Sequence, residues 1–222
     1  MKLLLTSNGF TSTIEKAFLG LLQKPAQMNS VGFITTAAYG EEEGPAWNCS
    51  LWLEEYRNQL RQQKITNIED VDLKNKTKEE LEKILLQKDI IFVNGGNTFY
   101  LMYWVRRSGF DKAVCKFLQK GGVYVGVSAG SIIACPTIET AGWKPADINN
   151  VSLTDLTALG LVPFLIHPHF EEVQKEDIAN EAKYINYPVV SLTNEQAVLV
   201  NNGQIQVIGE GEILKLSNLG RI

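Results

Sequence analysis

The chain has 222 residues, 45% of them hydrophobic and 21% charged, with 21 basic against 25 acidic side chains. This excludes wholesale disorder and fibrous architecture, and a formal net charge of -4 argues against nucleic acid as the main partner, since a duplex-binding surface carries a basic excess. No apolar run approaches the ~20 residues that span a bilayer, the start of the chain is too short for a signal peptide, and Cys49, Cys115 and Cys135 lie far apart without a Cys-x-x-Cys, so a reduced, cytoplasmic chain without membrane contact is expected.

Lys2–Thr6 reads as a first strand that runs into the turn signal Ser7-Asn8-Gly9, and Thr13–Gln23 has apolar residues at helical spacing. Val31–Thr35 is a second short strand. A loop with three acidic residues and Gly44-Pro45 follows. Ala46–Gln63 then reads as a helix with Trp47, Leu51, Tyr56 and Leu60 on its apolar side. Ile65–Leu73 supplies a third strand. Thr77 and Glu80 form a capping-box pattern that opens a helix through Gln87. Asp89–Val93 holds nothing polar within IIFV, as a strand covered on both faces requires. Asn97–Arg107 and Phe110–Gln119 read as helices, Val123–Val127 as a fifth strand, and Ser128–Cys135 as a short helix cut by Pro136. This alternation predicts an α/β fold with a doubly wound, mostly parallel sheet and flanking helices. Short strands at Val189–Leu192, Ala197–Val200, Gln204–Ile208 and Ile213–Leu216 predict an antiparallel extension of that sheet at the C-terminal end. No repeat or linker interrupts the chain, so a single domain over 1–222 is expected.

Three stretches carry chemistry. Gly126-Val127-Ser128-Ala129-Gly130 follows the fifth strand directly, and Gly-x-Ser-x-Gly at a strand-to-helix junction is a nucleophile elbow. Its sharp turn exposes the Ser128 hydroxyl, and the following helix start places N–H groups where an oxyanion forms. His167 and His169 are the chain's two histidines. A serine nucleophile served by histidine must use one of them, and the residues alone leave the choice open. The His-x-His spacing also suits a metal pair, but no third histidine exists and only Glu171, Glu172 and Asp177 are near in sequence, so no metal is expected. The acid that orients the base is one of Glu139, Asp147 or Asp155. The third stretch, Asn94-Gly95-Gly96-Asn97, lies at the carboxyl end of the fourth strand, where ligands bind in open parallel sheets. It matches neither a phosphate-binding nor a dinucleotide-binding glycine pattern, and no cofactor is expected.

Together these stretches resemble the peptidase E family of serine peptidases (alpha-aspartyl dipeptidases), which also includes cyanophycinase. The resemblance begins at Met1–Asn8, continues through Gly95–Phe99, is densest over GVSAGSIIACPTI at 126–138, and closes with Pro163-Phe164 and Pro168-His169-Phe170. It implies a class I glutamine amidotransferase-like (flavodoxin-like) fold. It also implies Ser128 as nucleophile, His169 as base, Asp147 as the orienting acid, and the Gly96 and Ala129 N–H groups as oxyanion hole. Gly95, Asn97 and Glu139 would face the substrate. Two departures stand out. Glu139 replaces the arginine that follows Pro-Thr-Ile in members preferring amino-terminal aspartate, and Glu171–Asp177 replaces their Gly-x-x-Gly-Glu-Thr-Arg stretch. A missing arginine is a missing partner for a substrate carboxylate.

The expected activity is hydrolysis of short peptides, as a dipeptidase or aminopeptidase-like enzyme acting as a monomer or homodimer. The alternatives are a non-catalytic small-molecule-binding or regulatory domain on the same fold and, ranked lowest, an ordinary α/β-hydrolase esterase.

Overall fold

A computed structural model describes residues 1–40, 49–212 and 214–216. The acidic loop, Gly44-Pro45 and Trp47 of the expected second helix, together with Ile213 of the last expected strand, lie outside the described residues.

Five parallel strands form the centre: β1 (Lys2–Thr6), β2 (Ser30–Ile34), β3 (Asn67–Val71), β4 (Ile90–Val93) and β5 (Val123–Val127). Their order is β3-β2-β4-β5-β1. Beyond β1 the sheet continues with β8 (Gln196–Asn201) and β9 (Gln204–Gly209), both antiparallel to their neighbours.

The period-two alternation of each strand divides the core. Leu4 of β1, Val31 and Phe33 of β2, and Phe92 of β4 join one apolar layer with α1 (Ser12–Leu21) and α2 (Cys49–Gln62). Leu3, Leu5, Ile34, Ile91 and Val93 face the other way. They pack with α3 (Lys78–Leu85), α4 (Thr98–Ser108) and α5 (Phe110–Gln119). The capping box at α3 forms as its sequence requires: Glu80 N donates to Thr77 Oγ1, and Thr77 N donates to the Glu80 carboxylate.

The C-terminal strands depart from the expected arrangement. β8 and β9 do extend the main sheet, but β7 (Val189–Ser191) and β10 (Leu214–Leu216) belong to a second sheet with β6 (Leu165–His167), in the order β10-β7-β6. β6 and β7 pair in parallel. The short run at β6 does not stand out as a strand, yet Leu165 and Ile166 are fully buried in the same core as α4 and α5. The helix α7 (Lys175–Ala182) also has no sequence-based expectation. It buries little beyond Ile178, so its apolar periodicity is weak.

Because β4, β5 and β1 are adjacent and parallel, their carboxyl ends share one edge, with Val93 and Leu5 both in register with Gly126. There β5 turns into α6 (Ala129–Ile132) through Ser128, at φ 49 and ψ -110. Such a backbone costs on the order of 1–3 kcal/mol and persists only when the surroundings hold it. Here Ser128 N donates to Thr6 O at 3.0 Å, and the buried Ser131 hydroxyl contacts both Thr6 O at 2.7 Å and Gly126 O at 2.9 Å. A Cβ on Gly126 would lie 2.4 Å from Gly130 O, and one on Gly130 would lie 2.2 Å from Val93 O. Both obstacles are backbone, so neither can swing aside.

Gly130→Ala should therefore lower unfolding free energy by about 1–3 kcal/mol or more, measured by urea titration. An unchanged midpoint and slope would contradict the close approach.

Candidate active site

Ser128 Oγ lies 2.9 Å from His169 Nε2. The two residues come from different sheets. His169 follows β6 and adopts φ 56, with its backbone N–H donating to Ser7 Oγ at 2.7 Å. Ser7 itself follows β1, so the end of the first strand ties the imidazole loop to the elbow. Pairing with the β7 strand continues past His167: Leu192 N donates to His167 O and Phe170 N donates to Leu192 O, both at 2.9 Å.

That pairing brings Asn194 to the far side of the ring. His169 Nδ1 is 2.7 Å from Asn194 Oδ1. Ser7 Oγ, which accepts from His169 N, is 3.4 Å from the same oxygen. With Asn194 Oδ1 turned to the ring, Nδ1 is the donor to it and the Nε2 lone pair faces the Ser128 hydroxyl. Asn194 has no expectation in the sequence. Its only prior signal is a polar residue in the turn after a short apolar strand.

Asp147 sits elsewhere. Its Oδ2 accepts from Thr98 N at 2.8 Å, at the start of α4, and no hydrogen bond joins it to His169. Burial raises its pKa above the usual aspartate value, while contacts with Thr98 and the charge of the nearby imidazole pull the other way. Asn97 holds this arrangement together: its Oδ1 caps α4 by accepting from Tyr100 N at 2.9 Å, and its Nδ2 donates to Ile148 O at 2.8 Å. The side chain expected to face substrate is thus 2% exposed and bonded at both ends within the protein. Glu139 opens a short 3-10 turn, half-exposed, and lines neither of the two cavities that touch Ser128.

Gly95 and Gly96 wall Ser128 from the β4 side. A Cβ on Gly95 would stand 3.1 Å from Ser128 Cβ, and Gly96, at φ +121, would drive one into Ala37 O at 2.4 Å. Ala129 N is the first amide of α6, one of the donors a helix start leaves without an intrahelical acceptor.

The two cavities differ in kind. An open cleft of about 340 Å³ is lined by Asn8, Trp52, Tyr56, Gly95, Gly96 and Ala146, among others. A narrower recess of about 40 Å³ is lined by Thr98, Ile132, Thr140, Ala141, His167 and Pro168, among others. Ser128, Pro145, Asp147 and His169 border both. His167 is 2% exposed, stacked on Trp143 with ring centroids 5.8 Å apart, and does not reach Ser128 by a hydrogen bond. Among the described residues, no group of three His, Cys, Asp or Glu side chains is placed to hold a metal ion, and no helix is long and apolar enough to cross a membrane.

Known proteins resemble this chain over most of its length. The model for peptidase family S51 matches residues 3–208. An uncharacterised peptidase of Pasteurella multocida is 31% identical over 179 residues, covering 79% of this chain and 83% of that protein. Peptidase E of Salmonella arizonae is 35% identical over 137 residues, 60% of this chain and 53% of the relative. The crystal structure of a candidate peptidase E from Listeria monocytogenes superposes with a TM-score of 0.78 at 27% identity, covering 95% of this chain and 98% of that one.

Burial of the neutral His167 ring has a consequence for stability. Desolvation, only partly offset by the Lys144 carbonyl, lowers its pKa from 6.5 to about 4. The folded state binds this proton less readily than the unfolded chain. Its contribution is complete above pH 6.5 and is lost as pH falls through 4, at up to about 1.4 kcal/mol per pH unit. Urea unfolding at pH 7 and pH 5 should show a smaller acid penalty for His167→Gln than for the parent. Equal penalties would contradict a buried neutral ring.

Proposed function

The chain belongs to peptidase family S51 and is a serine-type peptidase; from that premise we propose that it hydrolyses short peptides with Ser128 as nucleophile and His169 as general base. The observation that carries this reading is the 2.9 Å contact between Ser128 Oγ and His169 Nε2, with the ring tautomer set by an acceptor on Nδ1. Ser128 Oγ attacks the scissile carbonyl carbon as its proton passes to Nε2. The carbonyl oxygen becomes an oxyanion that accepts from the Gly96 and Ala129 amides. The imidazolium then returns the proton to the leaving amine, and a water, deprotonated by the same ring, releases the acyl group.

The orienting role falls to Asn194 rather than Asp147. A neutral amide fixes the tautomer and direction of the ring, as an asparagine does in cysteine peptidases with a Cys-His-Asn arrangement. Asp147 remains as a carboxylate wall of the cleft. Among the described residues, neither cavity beside Ser128 is lined by an arginine or lysine that could meet a carboxylate, which supports a substrate whose first side chain is not acidic.

The test is a dipeptide panel with varied first residues. Ser128→Ala and His169→Ala should each lower kcat/KM by about 10⁴-fold or more, whereas Asn194→Ala should cost on the order of tenfold to a hundredfold. His167→Gln should stay closest to the parent. Full activity in Ser128→Ala, or a larger loss in His167→Gln than in His169→Ala, would overturn the assignment.

A further inference from the structure

An asparagine can meet an imidazole with either end of its amide. With Asn194 Oδ1 toward the ring, His169 Nδ1 donates and Nε2 is free to take the Ser128 proton. With the amide turned over, Nδ2 donates to Nδ1. The ring proton then sits on Nε2, pointing at Ser128 Oγ, and the ring cannot serve as its base. A carboxylate carries no such ambiguity, since both of its oxygens accept. Asn194 stands in the exposed turn after β7, so its outer end meets solvent in either orientation and does not decide between them. An amide in this place needs a second group to choose its direction.

Ser7 supplies the choice. It is fully buried, and its Oγ accepts from His169 N at 2.7 Å. Its own proton is shut off from solvent. Among the described residues, the acceptor it meets is Asn194 Oδ1 at 3.4 Å. Turning the amide over would set that proton against an NH2 group and leave a buried donor without a partner, which folded proteins rarely tolerate. At 3.4 Å the bond is long, and its weight lies less in what it adds than in what the other orientation would lose.

The surrounding backbone places the hydroxyl. Ser7 N donates to Gln196 O at 3.2 Å, which carries the β1–β8 pairing onto the turn that holds Asn194. Gln196 N closes that turn on Thr193 O at 3.1 Å. Thr6 O, one residue before Ser7, accepts from Ser128 N. None of these three contacts uses the Ser7 side chain, so its removal leaves the end of β1 in place. We propose that Ser7 is a positioning residue for the reaction: its hydroxyl proton selects the orientation of the Asn194 amide and, through it, the His169 tautomer that can accept the Ser128 proton. This rests on the serine-peptidase reading above.

The test sets Ser7→Ala in two backgrounds. In the parent, kcat on the best dipeptide of the panel should fall about fivefold to tenfold as the competent orientation becomes a minority, with KM within about twofold. In Asn194→Asp, whatever that variant's own rate, adding Ser7→Ala should lower kcat by less than about twofold, because a carboxylate presents an acceptor either way. The same loss in both backgrounds would make Ser7 a mere anchor of the His169 backbone. No loss in the parent would mean that the amide needs no guide. Either result overturns the proposal. A second measurement needs no turnover. Nitrogen-15 NMR of histidine-labelled protein, assigned with His167→Gln, reports which nitrogen of the neutral His169 ring carries the proton. The parent should hold the Nδ1–H form, and Ser7→Ala should move most of the signal to Nε2–H. Nε2–H in the parent, or an unchanged tautomer in Ser7→Ala, would overturn the proposal. Failure of the serine-peptidase reading would appear differently, as dipeptide turnover that survives Ser128→Ala.

Discussion

The contact on which the rest depends is that of backbone against backbone where β5 turns into α6. Gly126, Gly130 and Val93 meet there without room for a single methyl group. This closeness sets Ser128 at a positive φ and lifts its hydroxyl clear of the sheet edge. The strain is local, and its compensation is shared among fully buried partners: Ser131 holds Thr6 and Gly126, and the Tyr124 hydroxyl donates to Gly130 O at 2.6 Å. A nucleophile on a softer turn would wander by more than the fraction of an ångström that proton transfer tolerates.

Around this fixed point, the second sheet works as a delivery arm. β6 ends at His167, and two residues later His169 reaches Ser128. β7 ends at Ser191, and three residues later Asn194 reaches His169. Both strands are only three residues long, yet their apolar residues are buried in the same layer that packs α4 and α5. The His169 ring and the Asn194 amide are thus aligned with each other by β6–β7 pairing and with the elbow by Ser7, whose hydroxyl touches both His169 and Asn194. The cleft side is assembled independently. Asn97 ties the loop carrying Asp147 to the start of α4, so the carboxylate is positioned by the cap of a helix rather than by the imidazole.

The sequence revealed the parts of this site that depend on local chain geometry. Gly126–Gly130 announces an elbow because tight turns need small residues at fixed offsets, and two histidines in 222 residues leave little choice of base. The fivefold strand–helix alternation shows the parallel sheet for the same reason: apolar runs and amphipathic periods are local. What escaped depends on pairing between distant segments. Assigning Val189–Leu192 to the main sheet hid its partnership with Leu165–His167, and without that partnership nothing links Asn194 to His169 across 25 residues. Asp147 rests on the family resemblance, which points to its neighbourhood but not to which way its carboxylate is bonded. Asn97 shows the reverse error, a polar residue beside a glycine turn whose side chain serves the fold.

The central claim is that Ser128 is a nucleophile made reactive by the His169 ring. The direct measurement is the rate of modification by a fluorophosphonate, followed by intact-mass and peptide mass spectrometry on the folded protein. The account predicts one adduct, on Ser128, forming far more slowly in His169→Ala. An adduct on another residue, or the same labelling rate with and without the imidazole, would contradict it.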